Sequence, residues 1–194
     1  AKIQVLDMPG ILKGAASGLG RGKEVISVAR NADLAIIMVD IFTVSHVDVL
    51  KRELEEADIR LNQQPPDMTL TRKERGGLSI ATTVRLTKLD QKTIESILNE
   101  FRIASADVVI RQDIDADQLI DFLEGNRKYL PAIVAVNKID ALTPEGLKQL
   151  EAQLHATEIA KAGAKQILIS AEKNINIERL KEEIYSNLSL MRIC

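Results

Sequence analysis

Two hydrophobic periods alternate along this chain. From Leu34 to Asp40 the run LAIIMVD is apolar up to its last residue and rich in β-branched side chains, the pattern of a strand buried on both faces of a parallel sheet. Val44, Val47, Leu50, Leu54 and Ala57 then recur at spacings of three and four, marking an amphipathic helix whose polar face carries KRELEE. The pair returns later: AIVAVNK (132–138) predicts a second buried strand, and Thr143 with Pro144 predicts a helix start. KQILIS (165–170) predicts a third strand and NIERLKEEIYSNL (176–188) a closing helix. At the front, AKIQVLD alternates Ile3 and Val5 with polar neighbours and reads as a strand finishing at Asp7, and residues 23–31 read as a helix. Between them Gly14, Gly18, Gly20 and Gly22 make a segment too rich in glycine for a stable helix and suited to a loop.

The middle of the chain breaks this rhythm. QQPPD (63–67) interrupts it, RKERGG (72–77) reads as a polar turn, and LSIATTVRL (78–86) reads as a strand. Asp90 can cap a helix carrying Ile94, Ile97, Leu98 and Phe101, and ADVVI (106–110) and ADQLIDFLEG (116–125) supply a further strand and helix. A crossover between neighbouring parallel strands needs only about a dozen residues plus its loops. Residues 61–129 are therefore expected to form an inserted α+β module, with 1–60 and 130–194 as the main domain. The expected fold class is α/β, a doubly wound and mostly parallel sheet carrying an insert.

Composition narrows the function classes. With 194 residues and 45% hydrophobic content the chain can bury one ordinary core and a small second one, and 28% charged residues argue against a membrane protein. A formal charge of -2 provides no global attraction to nucleic acid, and Arg72, Lys73 and Arg75 read most simply as a solvated turn, with an RNA contact as the alternative. The single cysteine, Cys194, cannot form an internal disulfide, and no signal peptide or membrane-length run is present, so the expected location is cytoplasmic. His46 and His155 are far apart and lack ligand-like companions.

In a parallel sheet of this kind, ligands lie at the carboxyl ends of the strands. Three strand ends carry candidate chemistry. In DMPG (7–10), the carboxylate of Asp7 can hold a magnesium ion, usually through water, and Gly10 lets a backbone N–H approach a phosphate, although such a string alone is more often an ordinary turn. In NKID (137–140), Asp140 can accept hydrogen bonds from N1–H and the exocyclic N2–H of guanine, which adenine cannot supply, while Asn137 and the stem of Lys138 hold the loop and cover the ring. The competing reading of NKID is a polar helix cap. In ISAEKN (169–174), the small Ser170 and Ala171 permit backbone N–H groups to reach guanine O6. Each string is weak by itself; their fixed order at three strand ends carries the weight.

DMPGILKGAASGLGRGKEVISVARNADL, NKID and ISAEKNINIERL resemble the corresponding segments of the developmentally regulated GTP-binding proteins, a branch of the Obg-type translation-factor-class GTPases. The resemblance continues through IRLNQQPPD, RKERGGLSI, ADQLIDFLEGNRKYLPAI and LSLMRI, so it spans nearly the whole chain. It implies GTP/GDP as ligand, with Asp7 and Gly10 on the Mg2+ and γ-phosphate motif and residues 12–22 on the second switch loop. It further implies Asn137, Lys138 and Asp140 on the guanine-specificity motif, and Ser170 with Ala171 on the last base-contacting motif. By the same resemblance the complete protein would be a GTPase switch linked to ribosomes, RNA or translation and to a regulatory partner protein.

Two departures set further expectations. Family members begin with a GxxxxGK[ST] phosphate loop, and no such string occurs here; GLGRG (18–22) lacks the Lys-Ser/Thr that would follow, and it is no dinucleotide fingerprint either. Each charge-assisted contact from that loop would contribute about 1.5–3 kcal/mol, so this chain alone is expected to bind GTP weakly and to be inactive. Ile11 stands where many GTPases place a water-orienting glutamine, so in the complete protein the water would be positioned from elsewhere; the resemblance implies a bound K+ ion or a partner for that role. The second departure is that relatives continue into a TGS domain after the position of Cys194. With the phosphate-loop strand absent, the isolated chain is expected to rearrange or to pair its exposed strand edges with another copy. The alternative function is a non-catalytic protein- or RNA-interaction module derived from a GTPase; an in-frame GxxxxGK[ST] upstream of Ala1 would separate the two.

Overall fold

The computed structural model describes residues 3–7 and 22–188. In chain order its elements are α1 (Gly22–Asn31), β1 (Ala35–Asp40), α2 (His46–Glu56), β2 (Ile59–Leu61), β3 (Met68–Arg72), β4 (Leu78–Thr82), α3 (Gln91–Glu100) and β5 (Ala106–Ile110). They continue with α4 (Ala116–Glu124), β6 (Lys128–Leu130), β7 (Ala132–Asn137), a 3-10 turn (Ile139–Ala141), α5 (Pro144–Ala156), α6 (Glu158–Lys161), β8 (Lys165–Leu168) and α7 (Ile177–Asn187). The elements divide into two compact units, residues 1–63 with 128–194, and residues 64–127.

In the first unit β1, β7 and β8 make an all-parallel sheet with β7 at its centre. The uninterrupted apolar text of β7 has a direct cause. Ala132, Val134 and Val136 enter a core shared with Val47 and Leu54 of α2 and Leu150 and Leu154 of α5, whereas Ile133 and Ala135 enter a second core with Leu180 of α7. A strand covered on both faces has no solvent side on which to alternate. The fold is thus α/β, a parallel sheet with helices on both faces. α5 starts where Thr143 accepts from the N–H of Gly146 ahead of Pro144, and α6 where Thr157 accepts from Ala160. Beside the sheet, β2 and β6 form a two-stranded parallel ladder. Asn62 at its end bonds the backbone of Ala132 through its side-chain amide, accepting at 2.8 Å and donating at 3.2 Å, as a strand residue would.

The second unit is an α+β module. β5 is central, antiparallel to β3 and parallel to β4. Val108 and Ile110 of β5, Ile94 and Leu98 of α3 and Leu119 of α4 share one core. Asp90 caps α3 by accepting from Thr93, and Asp115 and Gln118 form a reciprocal capping box on α4, which ends at Gly125 in the left-handed region (φ 63°).

Several sequence expectations are corrected. LAIIMVD was expected to be buried on both faces, but β1 stands at one end of the strand order among the described residues and leaves Met38 57% exposed, with Ile37 and Val39 buried on its other face. Residues 3–7 form no strand, and Val5 and Leu6 are 78% and 57% exposed. A strand exists only through its ladder, and within the described residues β1 pairs with β7 alone. The expected strand 78–86 stops at Thr82, opposite Ile110, where its partner β5 ends. β3 was not expected, because MTLTR alternates apolar residues with threonine and arginine and reads as polar text; it forms because β5 offers it an edge. The three-residue β2 and β6 are too short for any period to reveal.

Candidate functional site

Parallel pairing levels the ends of β1 and β7, since Asp40 sits opposite Asn137 in the register. Past the end of β8, Ile169 continues the ladder by donating its N–H to Val136 O at 2.8 Å and accepting from Ile139 N. Ser170 and Ile175 then close a small loop through a pair of backbone hydrogen bonds. Three strands therefore deliver Asp40, Asn137–Asp140 and Ser170–Asn174 to the same end of the sheet.

Within this group Asn137 is the tie. Its Oδ1 accepts from the N–H of Lys138 at 2.8 Å and from the N–H of Ala171 at 3.0 Å, joining two loops 34 positions apart. Lys138 takes the left-handed conformation (φ 70°), uncommon for a residue with a side chain and compatible with a locally over-determined loop. Its ammonium reaches Asp40 Oδ2 at 2.9 Å. Asp140 lies on the 3-10 turn with its side chain only 17% exposed, next to the fully buried Ser170. The Ser170 hydroxyl holds the carboxyl of Asp140 below the usual carboxylate range, assisted by the residue's own backbone N–H and by Lys173 at 3.9 Å, against the opposing effect of desolvation. Ser170 Oγ also accepts from Lys173 N at 3.1 Å. The result is an ionised carboxylate, mostly shielded from water and fixed in direction, beside a loop with small residues.

Asn137, Lys138, Asp140, Ser170 and Ala171 thus come together. Asp7 lies exposed in the 3–7 segment, which has no regular secondary structure, and Gly10 and nearly all of the 12–22 loop fall outside the described residues. No cluster of three or more His, Cys, Asp or Glu side chains suited to a metal occurs among the described residues. Sequence reasoning passed over Asp40. It was legible in principle, because it is the polar residue that ends an apolar strand, the same kind of position as Asn137.

An open parallel sheet with helices on both faces and polar loops gathered past its strand ends defines a nucleotide-binding type of α/β domain. Family comparison agrees: the family described as 50S ribosome-binding GTPase matches residues 1–72, and that described as the C-terminal region of the MMR_HSR1 domain matches residues 75–190. The chain belongs to this GTPase family, in the branch of the developmentally regulated GTP-binding proteins. It is 51% identical over 193 residues to a GTP-binding protein of Methanocaldococcus jannaschii, covering 100% of this chain and 48% of that protein. It is 41% identical to Developmentally-regulated GTP-binding protein 1 of Xenopus laevis and 42% identical to Ribosome-interacting GTPase 1 of Saccharomyces cerevisiae, covering 100% of this chain and 50% of each. The chain spans about half the length of these curated relatives.

Proposed function

We propose that this chain carries the base-reading part of a guanine-nucleotide site, and that the complete protein is a GTPase switch. Asp140 accepts from guanine N1–H and N2–H, the small Ser170 and Ala171 leave room for the O6 edge of the base, Asn137 holds the two loops in register, and the stem of Lys138 covers the ring. The observation that carries this reading is the single Asn137 oxygen bonded to the amides of both Lys138 and Ala171, beside an Asp140 carboxylate aligned by buried Ser170. A carboxylate so shielded loses much if left unpaired, which is how a site of this kind rejects a base lacking the matching donors by on the order of 10⁴.

Mg2+ keeps most of its water and takes one or two carboxylates together with substrate phosphates, a donor set that Asp7 fits; it would neutralise phosphate charge when bound. Gly10 then belongs to the γ-phosphate side of the site. The names of the relatives point to the ribosome as the partner to test first. Asp140→Asn in the complete protein exchanges one acceptor oxygen for a donor and is expected to shift preference from GTP to xanthosine triphosphate, read by competition binding. Unchanged GTP preference would undo the assignment.

A further inference from the structure

We propose that Asp40 is the positioning residue of this base site: it pins the Lys138 ammonium at the end of β1 so that the lysine acts on the base through its stem rather than on phosphate through its charge. The inference rests on the guanine site proposed above and adds a residue and a division of labour to it.

The two oxygens of Asp40 do different things. Oδ1 accepts from Phe42 N at 3.0 Å and from Thr43 Oγ1 at 2.9 Å, building the turn that leads towards α2. Oδ2 takes the Lys138 ammonium at 2.9 Å, across 98 positions of sequence. Lys138 is thereby held at both ends, its backbone N–H by Asn137 and its Nζ by Asp40, with 59% of its side chain still exposed. A four-carbon stem stretched between two fixed ends lies already ordered when a ring arrives, and it loses little further freedom on contact. With its charge partnered, the ammonium is a poor phosphate ligand. The carboxyl of Asp40 is held at about 2, first by Lys138 and then by Thr43, so the anion persists at any physiological pH.

The test is equilibrium binding of guanosine, GDP and GTP to the complete protein carrying Asp40→Asn, Lys138→Met or both. Asparagine keeps Oδ1 and hence the turn, but turns an amide NH2 towards the ammonium. D40N is expected to weaken all three ligands by one common factor of about three to ten, the scale set by ordering one long side chain. In the K138M background, D40N is expected to change affinity by less than about twofold. A loss confined to GTP, additive losses in the double variant, or wild-type guanosine affinity in a folded D40N protein would each overturn the proposal. If D40N fails to fold, K138M alone decides: a loss that grows with the number of phosphates refutes it. The Asp140→Asn exchange keeps the two readings apart, since a normal switch to xanthine with an inert Asp40 sinks only the present inference, whereas no switch sinks the base site itself.

Discussion

Replacing Asn137 with alanine removes the one oxygen shared by two backbone amides, at Lys138 and Ala171. A hydrogen bond of this kind contributes roughly 1 kcal/mol net, so the pair bounds the loss near 2 kcal/mol. Both bonds are solvent-exposed, which lets water take over the orphaned N–H groups and brings the expected loss of stability to about 1–2 kcal/mol. Urea denaturation reads that total. Amide hydrogen exchange reads the location: Ala171 N–H should exchange about tenfold faster, since a factor of ten corresponds to about 1.4 kcal/mol, whereas Val134 in the sheet centre should keep its relative protection. Asn137→Asp retains an acceptor at the same place and should restore most of the Ala171 protection. An Ala171 amide that exchanges at the parent rate in N137A would refute the tie between the two loops.

Ile133 is fully buried in the α7-side core, so Ile133→Ala should cost about 2–5 kcal/mol in denaturant melts. A loss under about 1 kcal/mol would mean that this face of β7 is not packed as described. Acid should also erode stability in a defined window. Asp40, Asp90, Asp113, Asp140 and Glu158 all have carboxyl groups lowered in the folded state, Asp40 to about 2, so the folded chain binds fewer protons than the unfolded one once pH nears the ordinary carboxylate range. The stability they contribute is complete above about pH 5 and is lost as pH falls through about 4 towards 2. Urea midpoints should follow that course, with a shallower acid slope in D40N; an identical slope in D40N would remove Asp40 from the account.

What sequence alone determined here is what depends on neighbours along the chain. AIVAV declares a strand buried on both faces because every side chain in it must be apolar, and Thr143–Pro144 and Asp90 declare helix starts because capping acts over three residues. NKID at the end of such a strand marks a candidate guanine site from local text alone. Tertiary structure decided whatever needs a distant partner. MTLTR becomes β3 because β5 supplies an edge, while the equally strand-like residues 3–7 form no strand without a ladder. The hydrogen bond from Ala171 to Asn137 and the ion pair of Lys138 with Asp40 span 34 and 98 positions. No local period encodes such contacts; they arise because parallel strands bring their carboxyl ends to one side of the sheet, where the ladder register sets side chains from remote segments opposite one another.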